Sequence, residues 1–374
     1  MPIRRHGFTP TILDVLSDYT TADAEDILER SPLIQYLNIK TEAANRGSKV
    51  RAAYGNHYAI YVLVEDYINK DFNVSGKYDR YDGARFSDLL KRQRELPFGS
   101  RLQNHALNHR LNEEFTKLFP NETAQVVIRN LETQRYWINE NLLKITSAGK
   151  DVNLSVAIIA IIEKYIEARQ NAFHSFIAEC QKILELKGSD PATAKLFVAD
   201  LLNQHVDARI FEIVSFAILK AHFAGKVIYW GWSKDDLNED MLALYKTGRT
   251  NANDGGIDFV MRPLGRFFQV TETIDVGKYF LDIDKVQGYP ITFVVKSTDS
   301  IDSITEKIRL QAIERYSVQQ VVDKYMECIE EIFNVPRLAN IFNILVEKQK
   351  VTPVIEEIVL QSEIEFESLS KEIS

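Results

Sequence analysis

Cysteine is nearly absent from this 374-residue chain: Cys180 and Cys328 stand alone, 148 positions apart, with no metal-ligand spacing around either. That excludes a disulfide-stapled scaffold and a cysteine zinc site, and it leaves two thiols expected to be buried in a reducing compartment. Long apolar runs are also missing. The nearest, Val152 to Ile166 ("VNLSVAIIAIIEKYI"), is broken by polar residues and falls short of the roughly 18 apolar residues that a membrane span needs. No apolar segment follows the two arginines of "MPIRRHGFTP", so a secretory leader is not expected and a cytoplasmic protein is. Positive charge is not in excess either. A net charge of -8 argues against a chain that coats nucleic acid through overall charge, although a local basic face still suffices to hold a polyanion.

What is present is ordinary for a globular protein, with 45% hydrophobic and 26% charged residues and no internal repeat. The length favours two domains. Residues 1 to 188 read as mainly helical: "PTILDVLSDY", "AEDILERSPLIQYLNI" and the long stretch from Ser155 place apolar residues three and four apart. Tyr58 to Ile68 ("YAIYVLVEDYI") is rich in β-branched and aromatic residues and fits either a strand or a buried helix. Composition changes around "KGSDPATAK", and residues 189 to 374 read differently. Two amphipathic helices come first, the second ending at Gly225, then the short strands "GIDFVM" and "RFFQVTET" joined by "RPLG". A nearly continuous apolar strand, "YPITFVVKS", suits the interior of a sheet covered on both faces, and two or three helices are expected to close the chain.

Chemistry concentrates in Asn251 to Thr273, "NANDGGIDFVMRPLGRFFQVTET". Asp258 opens the first strand after the Gly255-Gly256 turn, and Gln269 and Thr271 lie on one face of the second strand, with Glu272 on the other. Adjacent strands run about 4.8 Å apart, so an acid on one and an oxygen ligand on the next can share a divalent ion. Upstream, Glu212 stands among apolar residues in a helix, where an unpaired carboxylate is costly to bury and calls for a cation. Asp254 reads as turn chemistry.

The order of these parts resembles the PD-(D/E)XK nuclease superfamily, the fold of most type II restriction endonucleases and of Mrr-like restriction enzymes. The resemblance covers roughly Ala208 to Ser297: a helix bearing Glu212, the Gly-Gly-Ile-Asp start of a strand at Asp258, a Gln269-Val270-Thr271 strand, then a hydrophobic strand. It implies an α/β fold with a restriction-endonuclease-like mixed sheet flanked by helices, Mg²⁺ held by Asp258, Gln269 and Glu212, and hydrolysis of double-stranded DNA. Mrr-like members carry Gln-X-Lys, with the lysine orienting the attacking water. Thr271 stands at that lysine's position here, leaving Lys246, Lys278 and Lys296 as replacements, or a register shift that brings in Glu272.

The basic run Lys40, Arg46, Lys49 and Arg51 is a phosphate-contacting candidate, as are Lys91, Arg92, Arg94 and Arg101, making residues 1 to 188 the expected DNA-recognition domain. Arg249 and Asn251 precede the acid site and are candidates for holding the scissile phosphate, as are Arg262 and Arg266 at the hairpin tip. His105 and His109 read as a solvated helix face rather than a metal site, and the aromatic run Val227 to Trp232 as packing, with base stacking the other possibility. Cutting both strands of a palindrome favours a homodimer, with the acidic C-terminal helices as subunit contacts.

Overall fold

The computed structural model describes residues 4–42, 50–75, 78–100, 102–147, 149–185, 190–203, 206, 208–247 and 257–366. They fall into two compact units that divide at Ser175/Phe176, within a long helix rather than at the compositional change after Gly188.

The first unit contains α1 (Thr9–Tyr19), α2 (Ala24–Arg30), α3 (Pro32–Thr41), α4 (Val50–Asn69), α5 (Phe72–Ser75), β1 (Ala84–Arg85), α6 (Phe86–Glu95) and α7 (Leu111–Leu118). Strands β2 (Val127–Asn130), β3 (Arg135–Ile138), β4 (Lys144–Ser147) and β5 (Lys150–Asn153) follow, then the start of α8 (Ser155–Glu185). Helix starts follow local chemistry. Ser31 caps α3, its hydroxyl accepting the Ile34 N–H at 3.3 Å, with Pro32 in the first turn where a missing N–H costs nothing. The stretch Tyr58 to Ile68 belongs to α4. It shows no helical stripe because Tyr54 to Val64 are buried without a break, and a helix enclosed on every side needs none. The two small sheets, ordered β1-β3-β2 and β4-β5, were not expected from the helical pattern around them.

The second unit runs through α9 (Pro191–Leu201), α10 (Ala208–Phe223), β6 (Val227–Trp230), β7 (Asn238–Met241), β8 (Ala243–Lys246), β9 (Phe259–Arg262), β10 (Arg266–Thr271) and α11 (Val276–Lys285). It continues with β11 (Ile291–Val295), α12 (Ile301–Arg315), α13 (Gln319–Glu327), β12 (Ile329–Asn334), α14 (Val335–Glu347) and α15 (Val351–Phe366). Five strands form a mixed sheet in the order β12-β11-β10-β9-β8. Strands β8, β9 and β10 pair antiparallel, whereas β10, β11 and β12 are parallel, each parallel pair joined by helical crossovers. A mixed sheet flanked by helices was expected; β12 was not, and it interrupts the closing helices.

Alternation along the strands separates two cores. Phe259, Met261, Phe268, Val294 and Phe333 face a cluster with α9, α10, α14 and α15. Ile291, Phe293, Val295 and Ile332 face one with α11, α12 and α13. Strand β11 is buried along its whole length, as expected of an interior parallel strand. Cys180 and Cys328 are free buried thiols, also as expected. Among the described residues, no helix is long and apolar enough to cross a membrane.

Candidate functional site

Asp258 precedes β9 and is tied to both neighbouring segments. Its carbonyl accepts the Thr247 N–H at 3.1 Å, its N–H donates to the Phe268 carbonyl at 3.0 Å, and its Oδ2 accepts the Val270 N–H at 2.7 Å. The carboxylate therefore takes a backbone donor of β10, and together with the bond from the backbone N–H of Asp258 it brackets Gln269. Burial holds the Asp258 carboxyl well above the usual carboxylate range, and the negative charge of Glu212 pushes the same way. The Val270 N–H and the Lys246 ammonium pull it back only in part.

Glu212 lies in α10, where Phe211 to Leu219 are all buried. Such a helix tolerates a carboxylate only with a counter-charge. Lys246, at the end of β8 and opposite Phe259 of β9, supplies it: its Nζ is 2.8 Å from Glu212 Oε1, and both side chains are largely buried. Packing of α10 on β8 brings the pair together.

Gln269 sits on β10 opposite Phe293 of β11. Its Oε1 is buried with no hydrogen-bond partner among the described residues, an unusual state for an amide oxygen. The other expected residues go elsewhere. Thr271 donates its hydroxyl to the Thr273 carbonyl at 3.0 Å. Glu272 accepts from Lys296 Nζ at 2.9 Å, because the parallel register of β10 and β11 sets Thr271 opposite Val295 and continues one residue further. Lys278 is exposed and donates to Thr273 Oγ1 at 3.3 Å.

The basic candidates divide. Arg46, Lys49, Arg101, Arg249 and Asn251 lie outside the described residues, as do Asp254, Gly255 and Gly256, while Arg51 is described only as backbone in the first turn of α4. Lys40 pairs with Glu114, and Arg92 makes a two-pronged bond to Glu65 at 2.9 and 2.8 Å, so these two cations are already matched. Arg266 is held by Glu330, Glu331 and Thr292 on the neighbouring parallel strands, which removes it as a phosphate candidate; Arg262 is exposed. His105 and His109 are both exposed, in keeping with a solvated face. The aromatic run is not packing. Strands β6 and β7 form a separate two-stranded ribbon; Tyr229 on it is 65% exposed and Trp232, in the connection between its strands, 96%.

Scans against protein-family models, curated proteins and solved structures each returned no match. The chemistry of the donor set is therefore what bears on function. Among the described residues, no three carboxylate, imidazole or thiolate side chains converge as a metal site. The oxygen donors at hand are the Asp258 and Glu212 carboxylates and the unpartnered Gln269 amide oxygen, all hard ligands. Two carboxylates and one amide fit a small divalent cation that keeps several waters, rather than a metal that needs a full protein cage. A separate cleft of about 550 Å³ opens beside β12, lined by Arg309, Asp323, Glu330 and Arg337 among others, and it includes none of these donors.

Proposed function

We propose that the second unit is a Mg²⁺-dependent nuclease of the PD-(D/E)XK kind, hydrolysing phosphodiesters of duplex DNA as a type II restriction endonuclease does. The observation that carries the reading is Asp258, half-buried with its carboxyl under the influence of the Glu212 charge and accepting the Val270 N–H, while its own backbone N–H donates to Phe268 on the other side of Gln269, whose amide oxygen has no partner among the described residues. A protein has no stability reason to set a carboxyl where a neighbouring carboxylate raises its cost of ionisation, and a perturbed acid of this kind is often part of a functional site. The element order supports the same reading. Glu212 on α10, Asp258 immediately before β9, Gln269 on β10 and the apolar strand β11 come in the order that the resemblance implies.

Hydrolysis joins a water oxygen to phosphorus and breaks one phosphorus–oxygen ester bond. Mg²⁺, when bound, supplies polarisation of the phosphate and a lowered pKa for water. Asp258 and Glu212 would hold it by their carboxylates and Gln269 by Oε1. The Val270 N–H orients the Asp258 carboxylate, so that ligand is already positioned. In this reading the helical first unit recognises the DNA sequence, and cutting both strands of a palindrome uses a homodimer.

Plasmid cleavage tests it. The protein with Mg²⁺ gives discrete fragments, and the Asp258→Ala variant gives none; equal cleavage by both would sink the assignment. Thr271 at the lysine position favours a second reading, a DNA-binding protein that keeps the nuclease fold without cutting. A sequence-specific mobility shift of duplex DNA with no fragments under any divalent metal would select it.

A further inference from the structure

We infer that Lys246, from the strand preceding Asp258, is the catalytic cation of this site and does the work for which Thr271 has no charge. This rests on the nuclease reading. Three lysines compete for the role, and their surroundings separate them. Lys278 is exposed on α11 and bonds to Thr273. Lys296 is buried, but its ammonium is shared between Glu272 and the carbonyl of Val206. Lys246 is the lysine bonded to one of the two carboxylates of the site, at 2.8 Å from Glu212, and its charge also acts on the other, Asp258.

The position has a physical logic. Lys246 stands at the end of β8, and the Thr247 N–H immediately after it is anchored to the Asp258 carbonyl at 3.1 Å. Backbone pairing therefore fixes the lysine's stem relative to the acid, so the ammonium needs little ordering to act. A cation held this way stabilises negative charge as it builds on the phosphate oxygens and orients the attacking water, keeping its own proton throughout. Its bond to Glu212 is the resting partner. Were Glu212 to hold a divalent cation, the Lys246 ammonium would be left to act on the substrate.

The test compares single-turnover cleavage of duplex plasmid with Mg²⁺ by Lys246→Gln, Lys246→Arg, Lys296→Gln and Lys278→Gln. Glutamine retains a donor for Glu212 without charge, and circular dichroism and thermal melts establish which variants are folded. Lys246→Gln is expected to lose roughly 100-fold in the cleavage rate constant, with DNA affinity unchanged in Ca²⁺. Lys246→Arg, which preserves both charge and ion pair, should recover at least a tenth of the original rate, roughly. The other two variants should cut within about threefold of the unaltered protein. Cleavage by Lys246→Gln at the unaltered rate, or an equal loss in Lys296→Gln, would overturn the inference while Asp258→Ala still upholds the nuclease reading. Absence of cleavage by the unaltered protein overturns both.

Discussion

Val270 donates its backbone N–H to Asp258 Oδ2 at 2.7 Å, so a side chain twelve residues upstream completes the edge of a β ladder. Asp258 is therefore structural as well as a proposed metal ligand, and replacing it separates the two roles. Asparagine keeps an acceptor for Val270 but carries no charge. With its folded pKa raised above the unfolded value of about 3.9, Asp258 contributes stability that is fully present below that pH and is lost as pH rises through the folded pKa. Asp258→Asn is thus expected to stabilise the metal-free protein by about 1–2 kcal/mol at neutral pH and above, and not at pH 3. Urea unfolding at both pH values checks it. Mg²⁺ at a hundredfold excess over its Kd should add about 2.7 kcal/mol to the unaltered protein and nothing to this variant.

The Glu212–Lys246 pair carries a separate expectation. Lys246→Met leaves a buried carboxylate without its partner and should cost about 3 kcal/mol, whereas Glu212→Gln with Lys246→Met should cost clearly less. A double-mutant cycle by chemical denaturation measures the difference; strictly additive costs would show that the pair is not coupled.

His222 offers a titration. Burial, with Lys226, Lys348 and Arg337 adding to it, lowers its pKa to about 4. Lys226 Nζ lies 3.0 Å from His222 Nε2, a contact that suits a neutral ring. Between the unfolded value of about 6.5 and the folded value, the unfolded chain takes up a proton that the folded ring refuses, so stability falls as pH drops across that window. His222→Gln should flatten this part of the stability profile. In an NMR titration, a His222 ring that protonates near pH 6.5 would overturn this expectation.

Glu272 is expected to matter for folding and not for cutting. Its carboxylate matches Lys296, whose side chain is 3% exposed, so Glu272→Ala should lower stability by about 2 kcal/mol after allowance for the exposed side of the pair. The cleavage rate of the folded variant should stay within about threefold. A hundredfold loss would place Glu272 in the site after all.

Sequence patterns exposed the parts of this fold that repeat an obvious period. Helices α9 and α10, strands β9 to β11 and the turn at Gly265 were all legible, the last because its φ of +67° is one that glycine adopts freely. Strand β12, "IEEIFN", was not, because paired acids in a run between helices hide an edge strand whose polar side faces solvent. Strand β8, the four residues "ALYK" at the other edge of the sheet, was too short to show a period. Without β8, Lys246 was one of three equal lysines, and nothing in residue order told it from Lys296. The burial of Glu212 was inferable from its apolar neighbours; the identity of its cation required the strand pairing. The aromatic ribbon inverted the usual expectation, since tryptophan and tyrosine normally mark interiors and here crowd a surface.

That ribbon has an optical consequence. Of the three tryptophans in the chain, Trp230 and Trp232 lie on or beside it, 46% and 96% exposed, and only Trp137 stands elsewhere. Emission excited at the indole band therefore arises mostly from rings in water and should peak at the long-wavelength end of the tryptophan range. Anything that settles on the ribbon will shift that colour toward the blue, so the protein carries its own dye for events at this surface.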